Sequence, residues 1–140
     1  MRWLVALALA SCYSPELGPC DVRCGQAGPC PAGLACGDDN FCHASTSEPQ
    51  CTTLSLEIHG SGTGEVTSMP KGVDCNSDSS GTGCDMIPFQ IGTAIELTES
   101  HDSGNSFAGW IMGACVSSTA PTCDFTIEQA MTVQANFDSP

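Results

Sequence analysis

The chain has 140 residues and sets sixteen acidic side chains against three basic ones, a formal charge of −13. So acidic a surface repels phosphate backbones, which excludes nucleic acid as a partner. A low share of charged residues (14%) beside eleven cysteines excludes the composition of an ordinary cytosolic enzyme.

At the N-terminus, Arg2 precedes the apolar run Trp3 to Ala10, and Leu9-Ala10-Ser11 leads into Cys12. Eight residues reach about 12 Å as a helix, against a hydrocarbon core of about 30 Å. The run therefore reads as a signal h-region and not a membrane span. Leu9-Ala10-Ser11-Cys12 resembles the lipobox of bacterial lipoproteins, in which the cysteine becomes an acylated (palmitate-type) N-terminus. That resemblance implies a signal peptide over 1–11, lipidation at Cys12, and a lipid-anchored contact with the membrane. Cysteine arithmetic agrees, because an odd count in an exported chain leaves one thiol over. Eleven residues is short for a signal, so a start codon upstream is expected. Beyond Ser11 only Arg23 and Lys71 oppose the sixteen acids, a formal charge of −14. Anionic headgroups would be repelled by it, which leaves the acyl group as the membrane contact.

Residues 12–51 form the second predicted unit, a cysteine-rich module. Cys20, Cys24, Cys30, Cys36, Cys42 and Cys51 sit among Gly and Pro with scarcely an apolar residue to bury. Ordering such a segment costs about 1–2 kcal/mol per residue, with no core to offset it. Disulfides worth about 2–4 kcal/mol each must stand in. Six cysteines allow fifteen pairings, and all stay open here. Zinc is the alternative, since His43 follows Cys42; the intervening gaps of three, five, five, five and eight residues fit paired zinc ligands poorly. Disulfides and no metal are the expectation. Cys30-Pro31-Ala32-Gly33-Leu34-Ala35-Cys36, followed by Gly37 to Cys42, resembles small secreted disulfide modules. Similar cysteine knots follow the lipobox in myxobacterial surface lipoproteins.

From 52 to 140 the texture becomes that of strands. Leu54, Leu56 and Ile58 alternate with Ser55, Glu57 and His59; Ile95 and Leu97 alternate with Glu96 and Thr98; Met131, Val133, Ala135 and Phe137 alternate with polar residues. Period two marks strands with one buried and one wet face. Gly60-Ser61-Gly62 and Asp102-Ser103-Gly104-Asn105 are turns. Six or seven short antiparallel strands are predicted near 53–59, 64–68, 86–90, 93–99, 106–111, 123–128 and 131–137. Cys75 with Cys84, and Cys115 with Cys123, each bracket a turn-rich loop; both pairs are expected to staple loops without joining sheets. Phe107 and Trp110 are expected to anchor the core.

Residues 54–137 resemble the divergent InlB B-repeat domain of bacterial surface proteins. The resemblance is carried in order by Gly60 to Ser68, then Pro70, Gly72 and Cys75, then Cys84. It continues through Gly92-Thr93-Ala94-Ile95-Glu96-Leu97-Thr98, Phe107-Ala108-Gly109-Trp110, Cys115 and Cys123, and closes on Val133-Gln134-Ala135-Asn136-Phe137. Met112 and Gly113 lengthen the usual spacing after the tryptophan. The resemblance implies a compact β-rich, β-grasp-like module that spaces or presents other domains, and it brings no catalytic residues. One copy is found.

Two constellations have residue types that could carry chemistry. Ser100-His101-Asp102 has triad residue types, but sequence neighbours cannot take triad geometry; His43, His59 and His101 read as exposed polar residues. Asp74, Asn76, Asp78 and Asp85 fall at EF-hand-like positions, yet Ser79 replaces the glycine and no helix flanks them, so a solvated acidic turn is expected, with a weak calcium site the alternative. The expectation is a mainly β, non-catalytic outer-membrane or cell-surface lipoprotein without cofactor, structural or presenting in role. The alternative is a binding or adhesion module for a surface glycan or partner protein.

Overall fold

The computed structural model describes residues 17–25, 28–78 and 84–140. The predicted signal peptide and Cys12 lie outside them. Ten strands occur among the described residues, and no helix: β1 (Ala35–Cys36), β2 (Cys42–His43), β3 (Cys51–Gly60), β4 (Gly64–Met69), β5 (Asp74–Asn76), β6 (Ile87–Gln90), β7 (Thr93–His101), β8 (Ser106–Met112), β9 (Thr122–Ile127) and β10 (Met131–Asp138). The chain is mainly β, a small disulfide-rich module followed by a β domain.

β1 and β2 make a two-residue-deep ribbon in the cysteine-rich part. The rest forms two four-stranded sheets, β6-β3-β10-β8 (sheet one) and β5-β4-β7-β9 (sheet two). Each strand turns alternate apolar residues to one side. Leu54, Leu56, Val133, Ala135, Phe137, Ile87, Phe89 and Trp110 of sheet one meet Val66, Cys75, Ile95, Leu97, Cys123 and Ile127 of sheet two in one buried cluster.

The sheets are not wholly antiparallel. β10 runs parallel to β3, from Met131 opposite Leu54 to Phe137 opposite Gly60. Strand periodicity says which face is buried but not which strand lies alongside, so this pair had no signature of its own. β5, with only three residues, is a further strand beyond those predicted. Gly60 sits at φ +97°, and a side chain there would strike the Phe137 carbonyl. Glycine therefore closes the β3–β10 ladder where the two backbones crowd.

β8 carries two bulges. Phe137 faces Phe107 and Asn136 faces Gly109, so Ala108 is extra; Ala135 faces Trp110 and Gln134 faces Met112, so Ile111 is extra. Phe107 and Trp110 are three residues apart, and a regular strand would send them to opposite faces. The bulge at Ala108 returns both to the core side, where their rings meet edge to face at 5.1 Å. Gly109 at φ +130° is the hinge of that bulge, and the Ser118 carbonyl would lie 2.8 Å from any Cβ placed there.

Candidate functional site

The sulfurs are joined Cys20–Cys51, Cys24–Cys36 and Cys30–Cys42 in the N-terminal module, and Cys75–Cys84 and Cys115–Cys123 in the β domain. The first bridge encloses the next two, whose loops interleave. Cys24, Cys30 and Cys36 place their sulfurs within 4.8 Å of one another, but each is spent in a disulfide and none offers a thiolate.

The two β-domain bridges correct the expectation that they staple loops alone. Cys75 lies on β5 in sheet two, whereas the Cys84 carbonyl accepts the Leu56 N–H of sheet one at 2.6 Å. Cys115 follows β8 of sheet one, and Cys123 lies on β9 of sheet two. Each bridge ties an edge of one sheet to the other, at opposite ends of the strand orders. The short sequence separations of 9 and 8 residues hide a change of sheet inside each loop.

The densest polar constellation is one the sequence did not mark. Asp39 stands in the turn between β1 and β2. Its carboxylate accepts from the Cys51 N–H at 2.6 Å and the Phe41 N–H at 3.1 Å, and contacts His43 Nε2 at 2.9 and 3.0 Å. His43 Nδ1 lies 3.5 Å from Glu48 Oε2, which also accepts the Ala44 N–H at 3.0 Å. The Asp39 and His43 side chains are only 8% and 12% exposed, which corrects the expectation of an exposed His43. Both ring nitrogens face carboxylates. An imidazole so held is a clasp between the β1–β2 turn and the start of β3, with no free nitrogen to act as a base. A cleft of about 320 Å³ opens beside it, lined by Ala35, Gly37, Asp38 and Thr46.

Burial raises the Asp39 carboxyl, but the Cys51 N–H, His43 and the Phe41 N–H outweigh it and hold the group below its ordinary value. A folded-state pKa below the unfolded one stabilises the fold above the unfolded value near 3.8, and that contribution disappears as pH falls through the folded value. Asp39→Ala is expected to cost about 1.5–3 kcal/mol at pH 7, the range for hydrogen bonds to a charged group. The variant should also lose less stability between pH 5 and pH 2 than the parent. Urea titrations at both pH values check this; equal acid slopes for the two proteins would contradict it.

The triad-like and calcium-like sets are dispersed. His101 Nδ1 meets Glu99 Oε2 at 3.0 Å, while Asp102 Oδ2 accepts the Thr63 hydroxyl at 2.6 Å. Ser100 sits opposite Glu65 on β4. His59 is exposed beside Glu57, and that hydrogen bond, with one from Gln134, holds Glu57 below its ordinary pKa. Asp74, across β4–β5, raises the Glu65 carboxyl from its ordinary value, chiefly through a side-chain hydrogen bond. Asn76 Oδ1 accepts the Asp78 N–H at 3.1 Å, and Asp85 accepts the Ser55 hydroxyl at 2.5 Å. His101, Asp102, Asn76 and Asp85 are thus each turned to a different partner within the protein.

The aromatic cluster on β8 is structural. Trp110 is fully buried, donates from Nε1 to the Ala120 carbonyl at 3.0 Å, and exchanges backbone bonds with Ser117 and Ser118 at 2.8 Å each. No curated protein and no solved structure matches the chain significantly. A family model does match over residues 54–139, from the first core residue of β3 through the last strand, and so covers more than half of the chain. The chain therefore belongs to the divergent InlB B-repeat domain family.

Proposed function

We propose that this protein is a non-catalytic, exported lipoprotein of a Gram-negative bacterium, structural or presenting in role. Residues 1–11 serve as its signal and Cys12 carries the acyl anchor. Residues 12–51 form a disulfide collar near the membrane, and residues 52–140 are presented outward. Tyr13, not Asp, follows the acylated cysteine, which by resemblance to enterobacterial lipoproteins directs the protein to the outer membrane.

The observation that carries this reading is the sulfur count. Of eleven cysteines, ten pair in five bridges, and Cys12 is the remaining one. Five disulfides in a small chain fit an oxidising compartment. Membership of a family of surface modules points the same way. Two or more acyl chains hold stably, at about 0.8 kcal/mol per buried methylene.

Among the binding alternatives a protein partner is favoured over a glycan. Among the described residues the exposed large apolar side chains are Leu17, Met69, Met86, Ile111, Met112 and Val116, with no aromatic ring to stack on a sugar.

Intact-mass measurement on protein extracted from membranes tests the anchor. The expected species begins at Cys12, carries acyl mass and lacks ten thiol hydrogens; Cys12→Ser should release the protein from the membrane fraction. An unacylated species with sequence retained ahead of Cys12 would refute the anchor.

A further inference from the structure

Every open sheet has edges, and an unguarded edge strand is a template for another strand. Three of the four edges here are guarded. β6 contains Pro88, and Arg23 of the cysteine-rich module donates to the Met86 carbonyl beside it at 3.0 Å. β8 is occupied at Trp110 by Ser117 and Ser118. β5 has three residues and ends in a disulfide-bridged loop.

β9 also adjoins a disulfide-bridged loop, Cys115–Cys123, but it is twice as long as β5, and among the described residues no backbone group bonds along its outer side. It has six residues, Thr122-Cys123-Asp124-Phe125-Thr126-Ile127, with no Pro, no Lys and no break in its register against β7. The Glu99 N–H to Pro121 carbonyl bond at 3.0 Å fixes the phase of that ladder. By antiparallel alternation, Cys123, Phe125 and Ile127 bond to β7, while Thr122, Asp124 and Thr126 turn their N–H and C=O groups to the far edge. The side chains of these three are exposed on the outer face of sheet two.

That face has a definite charge. Asp124 lies directly opposite Glu96 on β7, and Glu96 opposite Met69 on β4, so one row runs apolar, acidic, acidic toward the open edge. Like charges directly opposite each other destabilise a sheet. None of β4, β5, β7 and β9 contains Lys or Arg. Met69 is 69% exposed at the end of the row, beside a cleft of about 360 Å³ that Ala94, Glu96, Asp124 and Thr126 help to line.

We infer that the free edge of β9 captures an extended basic segment of a partner protein by strand addition. A Lys or Arg stands opposite Asp124, and β-branched residues two positions to either side stand opposite Thr122 and Thr126. Main-chain bonds from three β9 residues supply affinity, and the Asp124–Glu96 pair supplies selection. A second copy is the poorer occupant, because a two-fold pairing of β9 with itself centred on Asp124 sets Asp124 against its own equivalent. The inference rests on β9 and its neighbour β7 and does not depend on acylation of Cys12.

The test titrates the full ¹⁵N-labelled chain with a short capped peptide carrying lysine between β-branched residues. Expected are amide shifts centred on Thr122, Asp124 and Thr126. Binding should weaken by about tenfold or more when the peptide is N-methylated on its bonding edge, and by about tenfold at low salt when glutamate replaces its lysine. Asp124→Lys should reverse the second preference. Shifts centred elsewhere, indifference to N-methylation, or no preference for the lysine peptide would each overturn the proposal. So would a stable dimer through β9, which assigns the edge to self-association.

Discussion

Full reduction at neutral pH is expected to unfold residues 17–51 while residues 54–137 stay folded. The N-terminal module has almost nothing but sulfur to hold it. Its buried cluster is Phe41 with Cys20 and Cys51, and two of those three are themselves a disulfide. Burying Phe41 contributes about 1.5–3 kcal/mol, against an ordering cost of about 1–2 kcal/mol for each residue. The β1–β2 ribbon pairs two residues with two, well below what stands alone in water. The Asp39–His43 clasp depends on Cys51 being held in place, since the Cys51 N–H is one of its donors.

The β domain is placed differently. Reduction removes two short-loop bridges, of roughly 2–3 kcal/mol each, but leaves the fifteen-residue buried cluster and both four-stranded sheets. Cooperative unfolding should weaken without vanishing. Hydrogen exchange read by mass spectrometry, before and after reduction with alkylation to confirm thiol release, separates the two regions. Persisting protection over residues 17–51 with all thiols alkylated would contradict the account. So would simultaneous loss of protection in β3, β7 and β10.

The contrast explains what could be read from residues alone. Where a strand is half buried, alternation writes its face into the sequence: Leu54-Ser55-Leu56 and Val133-Gln134-Ala135-Asn136-Phe137 are plain strands in both views. Partner choice leaves no such mark. The parallel register of β10 on β3 joins segments over seventy residues apart, and its one local trace is Gly60, where the backbones meet. β5 is too short and polar for periodicity to show. The bulge at Ala108 was legible in principle, because two large aromatics three apart in a strand cannot share a face without an extra residue. His43 was misread because its partners, Asp39 and Glu48, are drawn in by a turn and a bridge, not by any helix or strand period. Sheet-crossing by Cys75–Cys84 and Cys115–Cys123 stayed hidden for a related reason. Closeness in sequence resembles closeness within one element, and only the topology shows that the loop has changed sheets.

Trp110→Ala should be the most damaging single change in the β domain, at about 3–5 kcal/mol. Whole-domain stabilities run to about 5–15 kcal/mol, so this is roughly a fifth or more of the total. Three losses coincide. The indole is fully buried and leaves a cavity between the sheets. Phe107 loses its edge-to-face partner at 5.1 Å and keeps only the tilted contact with Phe137 at 5.4 Å. The Ala120 carbonyl loses the Nε1 donor that pins the loop leading to β9. Trp110→Phe separates these, because a ring remains while the Nε1 bond goes. It should cost less than the alanine variant by about 1.5 kcal/mol or more. Urea unfolding followed by circular dichroism measures both, since the indole signal itself is removed. Equal costs for the two variants would mean that the loop bond, not the packing, sets the tryptophan's worth. A cost under about 1 kcal/mol for Trp110→Ala would mean that the two cross-sheet disulfides, and not the aromatic cluster, hold the sheets together.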